Sequence, residues 1–311
     1  MYPCSNPELI AAVSEAGGLG VIQPISMRFV HGYPLRDGIA RIRQLTDRPV
    51  GFNAIIEKIS RIYDERMRRW VDEALEAGVR FFVTALGNPR WVVERVHAVG
   101  GVVFHDVTRR EHALKALDGG VDGFICVNDR AGGHAGGLPA LDLLESIADL
   151  GRPMVCAGGI GAPAEFAAAL QMGYVGAQLG TRFIATRECN SHDDYKQAII
   201  RARAADVVLT ERISGVPCSV IRTPQVERLG TAAGPLGRRL LQHQRTKHWM
   251  RAAYQLRSLW SLRRGALKAG GHRDYWQAGK SVESIDAIAS VADVVDSFRS
   301  VLSVPPKTGH G

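Results

Sequence analysis

From the first residues to about residue 186, short β-rich runs recur roughly every 20 to 30 residues, each followed by a stretch at helical period. No other feature restricts the fold as much. The spacing predicts strands over Leu19–Pro24, Pro49–Ile56, Val79–Leu86, Gly101–Val107, Val121–Asn128, Pro153–Gly158 and Tyr174–Leu179. Helices are predicted between them, at Asp64–Ala77, Pro89–Val99, Arg110–Leu117, Leu141–Leu150 and Pro163–Met172. Four of these helical stretches run into a glycine (Gly78, Gly100, Gly151, Gly173), the residue that a left-handed C-cap favours. Such a repeat builds a parallel sheet with right-handed crossovers. A closed eight-stranded barrel and an open doubly wound sheet both fit. The regular spacing favours the barrel. So do polar and Gly-rich residues at strand C-terminal ends all along the chain, where an open sheet would gather them at one switch point.

Seven strands are readable, and the chain opens on Pro7–Ala16, the helix that in a barrel follows strand 1. The fold class predicted is therefore α/β: a (β/α)8 TIM-type barrel lacking strand 1, with a smaller C-terminal α-rich lid domain. An internal methionine serving as the start is the expected reason. The domain boundaries read as 1–190 for the barrel, 191–302 for the lid region, part of it packing back on the barrel, and 303–311 for a disordered tail. Within the lid region, Ser191–Arg203 reads as helix, and Val207–Ile213 with Val220–Thr223 as a β-rich excursion. Lys247–Lys268 and Ser281–Leu302 read as further helices.

Charge is local. The chain carries +8, but Leu236–Arg273 holds ten Lys/Arg and no acidic residue, so the remainder, with 29 basic and 31 acidic residues, is at −2. That weakens any reading as a nucleic-acid binder. Five widely spaced cysteines without a CxxC pair argue against a disulfide framework and a zinc site, and for a reducing, cytoplasmic setting. No run of 18 apolar residues is present.

Three Gly-rich elements follow three successive strands: Asn128 to Gly137, Ala157 to Gly161, and Gln178 to Phe183. Glycine lets a backbone approach an anion closely and present N–H groups to it. In barrels the loops after the last two strands are the recurrent phosphate site, and Gly158-Gly159 and Gly180-Thr181 stand there. Any one such pair alone reads as a tight turn; two on adjacent strands favour phosphate. His134 has four glycines around it, so its imidazole has room for a ligand, and it can exchange a proton near neutral pH. It reads as catalytic or substrate-facing. A metal role lacks partners at ligand spacing. Asn53, closing its strand, suits the edge of a planar heterocycle and equally a loop cap. Cys126 and Cys156 read as core.

These landmarks together resemble the nitronate monooxygenases, formerly called 2-nitropropane dioxygenases. The resemblance rests on Asn6-Pro7-Glu8-Leu9, Ala16-Gly17-Gly18-Leu19-Gly20, Gly51-Phe52-Asn53, Ala131-Gly132-Gly133-His134, Ala157-Gly158-Gly159-Ile160 and Gly180-Thr181-Arg182-Phe183. Gly215-Val216-Pro217, Arg222-Thr223 and Tyr275 to Gly279 extend it more loosely. It implies an FMN-binding barrel without metal, with Asn53, Gly132, Gly158, Gly159, Gln178, Leu179, Gly180 and Thr181 as FMN contacts and His134 as the base. The implied reaction oxidises an alkyl nitronate with O₂ to a carbonyl compound and nitrite. The partners expected are a small nitronate or nitroalkane and O₂, with no specific nucleic acid and no transmembrane segment; a homodimer is left open. Two positions depart from the family: the first strand is absent, and Val127 stands seven residues before the His, where a Gln or Asp is often found. The same scaffold also serves NAD(P)H-dependent flavin reductases of quinones or enoyl thioesters. A reading of another class is a non-catalytic protein that meets anionic surfaces through its basic 236–273 segment, with Trp249, Tyr254 and Trp260 interleaved. A lid helix with a solvated basic face is the plainer account of that segment.

Overall fold

A computed structural model describes residues 1–56, 61–211, 217–231, 263–264, 266–267 and 275–302. All seven predicted strands are present: β1 Gly20–Ile22, β2 Val50–Ile55, β3 Phe81–Ala85, β4 Val102–Val107, β5 Gly123–Val127, β6 Met154–Ala157 and β7 Gly176–Gln178. They pair in sequential order, every pair parallel, in one curled sheet. Sequential parallel order with a helix on each crossover is the arrangement of a barrel wall, and among the described residues β1 and β7 are its two edges.

The helices are α1 Pro7–Glu15, α2 Pro24–Phe29, α3 Leu35–Arg43, α4 Arg61–Glu76, α5 Arg90–His97, α6 Arg110–Asp118, α7 Ala140–Glu145 and α8 Pro163–Met172. Gly78, Gly100, Gly151 and Gly173 all take positive φ, so the four predicted caps stand. Strand alternation then sorts the side chains. Phe52, Phe82, Phe124, Val103 and Val107 face the helices and form the main core with Val71, Val92, Val96 and Leu143. Each buried phenylalanine contributes about 1.5–3 kcal/mol. The alternate residues Val83, Phe104, Ile125 and Ala157 face inward as a second, smaller cluster, the barrel interior.

After β7 the chain makes a short helix, α9 (Thr181–Ile184), then leaves the wall for α10 (Asp193–Arg201), an antiparallel ribbon of β8 (Val207–Thr210) and β9 (Cys218–Ile221), and α11 (Pro224–Leu229). It returns as α12 (Val291–Leu302), which packs against both α1 and α8, with the Phe166 and Phe298 rings 5.7 Å apart and Arg299 hydrogen-bonded to the Ala16 carbonyl. The excursion is thus an insertion between the last strand and the helix that completes the outer layer.

The sequence reading needs correcting at several places. Helices α2 and α3 stand where it names none; α2 starts at Pro24, with the Gln23 side chain capping the Ser26 N–H at 2.7 Å. The helix predicted over Leu141–Leu150 stops at Glu145, with a 3₁₀ turn at Ala148–Leu150. The final helix starts at Val291, not Ser281, because Ser290 and Asp293 form a reciprocal capping box there. The apolar residues before it belong to a 3₁₀ turn over Lys280–Ser284 that packs as a loop. Most of the helix predicted over Lys247–Lys268, most of the basic 236–273 segment and the tail 303–311 lie outside the described residues. No described helix is long and apolar enough to cross a membrane.

One buried side chain ties the insertion to the barrel. Arg182 is 6% exposed, and its Nη2 donates to the carbonyls of Ala185 and Ala287, both at 2.8 Å. Arg182→Met keeps the apolar stem but strands both acceptors. It is expected to lower stability by about 2 kcal/mol. Urea unfolding checks this, and an unchanged midpoint would mean that the carbonyls find other donors.

Candidate active site

Register shows which polar residues face the barrel interior. Asn53 pairs with Val83, Asp106 with Ile125 and Gln178 with Ala157, and each partner belongs to the inner cluster. In a parallel sheet paired residues point to the same face. Asn53, Asp106 and Gln178 therefore project from the C-terminal ends of β2, β4 and β7 into one cavity, which His134, Gly158, Gly159, Leu179, Gly180 and Thr181 also line. This is the end of a barrel where catalytic residues gather. The cavity, about 2550 Å³, has room for a flavin and a second molecule.

The Gly-rich loops after β5 and β6 are clasped together by Asn128, a fully buried side chain that donates to the Gly158 carbonyl at 3.0 Å and accepts from the Arg130 N–H at 2.9 Å. Gly158 and Gly159 take φ of +121° and +79°. A Cβ on Gly158 would stand 2.3 Å from Asn128 Oδ1 and 2.6 Å from the Ala131 nitrogen, so only glycine fits. Gly180 follows β7 on the neighbouring strand, and the buried Thr181 accepts from the Gly279 N–H at 2.9 Å.

The His134 loop is held by the insertion. Ser219 on β9 donates to the Gly133 carbonyl at 2.7 Å, and Lys280 donates to the Arg130 carbonyl at 2.9 Å. Gly132 lies so close to Ala278-Gly279 that a Cβ would be 2.8 Å from the Gly279 nitrogen. His134 is an exposed residue on the lining of the cavity. Desolvation beside the neighbouring loops lowers its pKa from the ordinary imidazole value, which favours the neutral form that can accept a proton. His105 is turned to the helix side, bonded to Thr84 at 2.8 Å, and burial lowers it to about 4.

Two oxygens facing the cavity, Asn53 Oδ1 and Asp106 Oδ1, are buried without a partner. Buried polar atoms are rarely left so unless a ligand completes them. Burial also raises the Asp106 carboxyl to about 7, the Met1 amino group pulling the other way. Orphaned oxygens on two inner strands, beside a glycine cradle on two adjacent strand ends, fit a planar heterocycle that carries a phosphate. No group of three metal-ligating side chains occurs among the described residues. The sequence reading missed Asp106 and the Asn128 clasp. A signal for Asp106 was present: a carboxylate in the otherwise apolar inner row of a buried strand, Val102-Val103-Phe104-His105-Asp106-Val107. The clasp joins residues 30 apart, and no local pattern announces it.

A family model described as nitronate monooxygenase matches residues 1–300. A (3aS,4S,5R,7aS)-5-hydroxy-7a-methyl-1-oxo-octahydro-1H-indene-4-carboxyl-CoA dehydrogenase of Mycobacterium tuberculosis is 31% identical over 75% of the chain. The chain spans 64% of that dehydrogenase, less than two thirds of its length. A probable nitronate monooxygenase of Staphylococcus aureus is 24% identical, with 81% of the chain and 82% of the relative covered. Among solved structures, FabK from Thermotoga maritima superposes with a TM-score of 0.77 at 28% identity, covering 97% of the chain and 90% of FabK.

Proposed function

Because the chain belongs to the nitronate monooxygenase family, a family of flavin-dependent oxidoreductases, we propose that it binds FMN and oxidises alkyl nitronates with O₂ to a carbonyl compound and nitrite. The observation that carries the proposal is the single cavity in which a neutral His134, two orphaned inner-face oxygens and two adjacent glycine-bearing strand ends converge. The backbone at Gly158-Gly159 and Gly180-Thr181 would hold the phosphate. Asn53, Gln178 and Leu179 would border the ring, and Gly132 lets the loop above it seat against Ala278-Gly279. When bound, the flavin would supply the electron acceptor for the substrate and the route of those electrons to O₂. His134 takes the acidic proton from the carbon bearing the nitro group of a neutral nitroalkane, or orients a nitronate that arrives already ionised. The apolar inner wall of Val83, Phe104 and Ile125 keeps water from beneath the reacting atoms.

The glycine-bearing ends of β6 and β7 together make one cradle, and no GxGxxG dinucleotide fingerprint follows any strand. The cofactor released from purified or reconstituted protein is therefore expected to be FMN by mass spectrometry; FAD alone would sink the assignment. The 31% identity to a dehydrogenase of an indene-carboxyl-CoA thioester and the likeness to FabK favour a second reading, a flavin enzyme acting on acyl thioesters. Anaerobic mixing separates the two. Bleaching of the flavin by a nitronate supports the first. Bleaching by NADH or NADPH alone, reversed by an enoyl thioester, supports the second.

A further inference from the structure

We propose that Asp106 is a ring-contacting residue of the flavin site, and that it meets the flavin as a neutral carboxylic acid donating a hydrogen bond. The inference rests on the FMN reading above. Asp106 is the penultimate residue of β4, and its register partner Ile125 places it on the inner face, two residues on from the inward Phe104. Its Oδ1 is buried and has no partner, and the residue lines the same cavity as Asn53, whose Oδ1 is orphaned in the same way. A carboxylate buried without a partner is costly, so the group either binds something or takes up a proton. The oxidised flavin ring offers several acceptor atoms on its edge and a single N–H donor, and its phosphate is anionic. A neutral acid meets such a ligand better than a carboxylate does, because it supplies a donor and avoids like-charge repulsion.

The surroundings agree. The titratable groups that act on Asp106 are few. The Met1 amino group draws it down, and the Cys126 thiol on β5, pushed up to about 12 chiefly by its own burial, feels the Asp106 charge only as a lesser contribution. His105 on its own strand is turned outward to Thr84. His134, also on the cavity, is held below its ordinary value. Desolvation dominates at Asp106 and holds it near 7 even before a ligand covers it. A flavin seated over it adds to that desolvation and retains the proton.

Affinity for the cofactor should then fall as the carboxyl loses its proton, at most about tenfold per pH unit above its pKa. The test titrates FMN into the apoprotein from pH 6 to 9, in the wild type and in Asp106→Asn, a neutral isostere with a donor. Wild-type Kd is expected to rise by about tenfold or more between pH 6.5 and 8.5 relative to the variant, whose own profile reports only FMN ionisation and the other groups. The absorption band of bound flavin should move with pH in the wild type alone. Parallel profiles, or wild-type affinity that increases with pH, would overturn the proposal while leaving the FMN reading intact. A wild type that binds no FMN at any pH would overturn both. Should Asp106→Asn not fold, Asp106→Ser serves as the neutral comparison, with the same two outcomes.

Discussion

His134→Ala is expected to keep its flavin and lose about 10²- to 10⁴-fold in turnover of a neutral nitroalkane, with a smaller loss on the preformed nitronate. The asymmetry follows from the two things the imidazole would do under the proposed function. A carbon acid needs a base, and an imidazole whose pKa desolvation holds below its ordinary value can be one at pH 7. A nitronate has already given up that proton and needs only to be held. The flavin should remain because the cradle of Gly158, Gly159, Gly180 and Thr181 comes from β6 and β7, not from the His134 loop. Steady-state rates on both forms of one nitroalkane, with the flavin content of each preparation, check this. Equal losses on both forms would remove the base role and leave positioning.

Gly158→Ala is expected to cost about 3 kcal/mol of stability and lower FMN affinity by about a hundredfold. The backbone there, at φ +121°, lies where an L side chain is strained by about 1–2 kcal/mol. The added Cβ would also press on Asn128 Oδ1 and the Ala131 nitrogen, disturbing a clasp whose hydrogen bonds are worth about 1 kcal/mol each. Losing one or two charge-assisted bonds to a phosphate accounts for the affinity. Gly151→Ala is the control. Gly151 also has positive φ, but a Cβ there meets nothing within 4 Å, so that variant should lose about 1 kcal/mol and bind FMN as before. Thermal or urea unfolding and FMN titration of both variants decide the matter; a Gly158→Ala protein with wild-type FMN affinity would place the phosphate elsewhere.

Much of the candidate site was legible along the chain because its parts are local. Strand-then-glycine at Ala157-Gly158 and Gln178-Leu179-Gly180 is a short-range pattern, and the structure puts these ends side by side. The final helix was misplaced even though its start was written locally, as Ser290 and Asp293, since buried Ser281 and Val282 continue the apolar rhythm upstream.

By itself, the sequence determined the seven strands, their parallel order, the four glycine caps and the three Gly-rich strand ends, because each depends on side-chain period or backbone permissiveness within a few residues. Only the tertiary structure decided which polar residues face the cavity. Asp106 and His105 are adjacent in sequence, yet one joins the interior and the other the helix layer, and the choice depends on register with β5 and β3. The structure also decided what holds His134 in place: β9 and the Ala278–Lys280 strip, which reach it from more than 80 residues away in the chain. Contacts at that separation are set by how the insertion folds back over the barrel, and no local pattern encodes them.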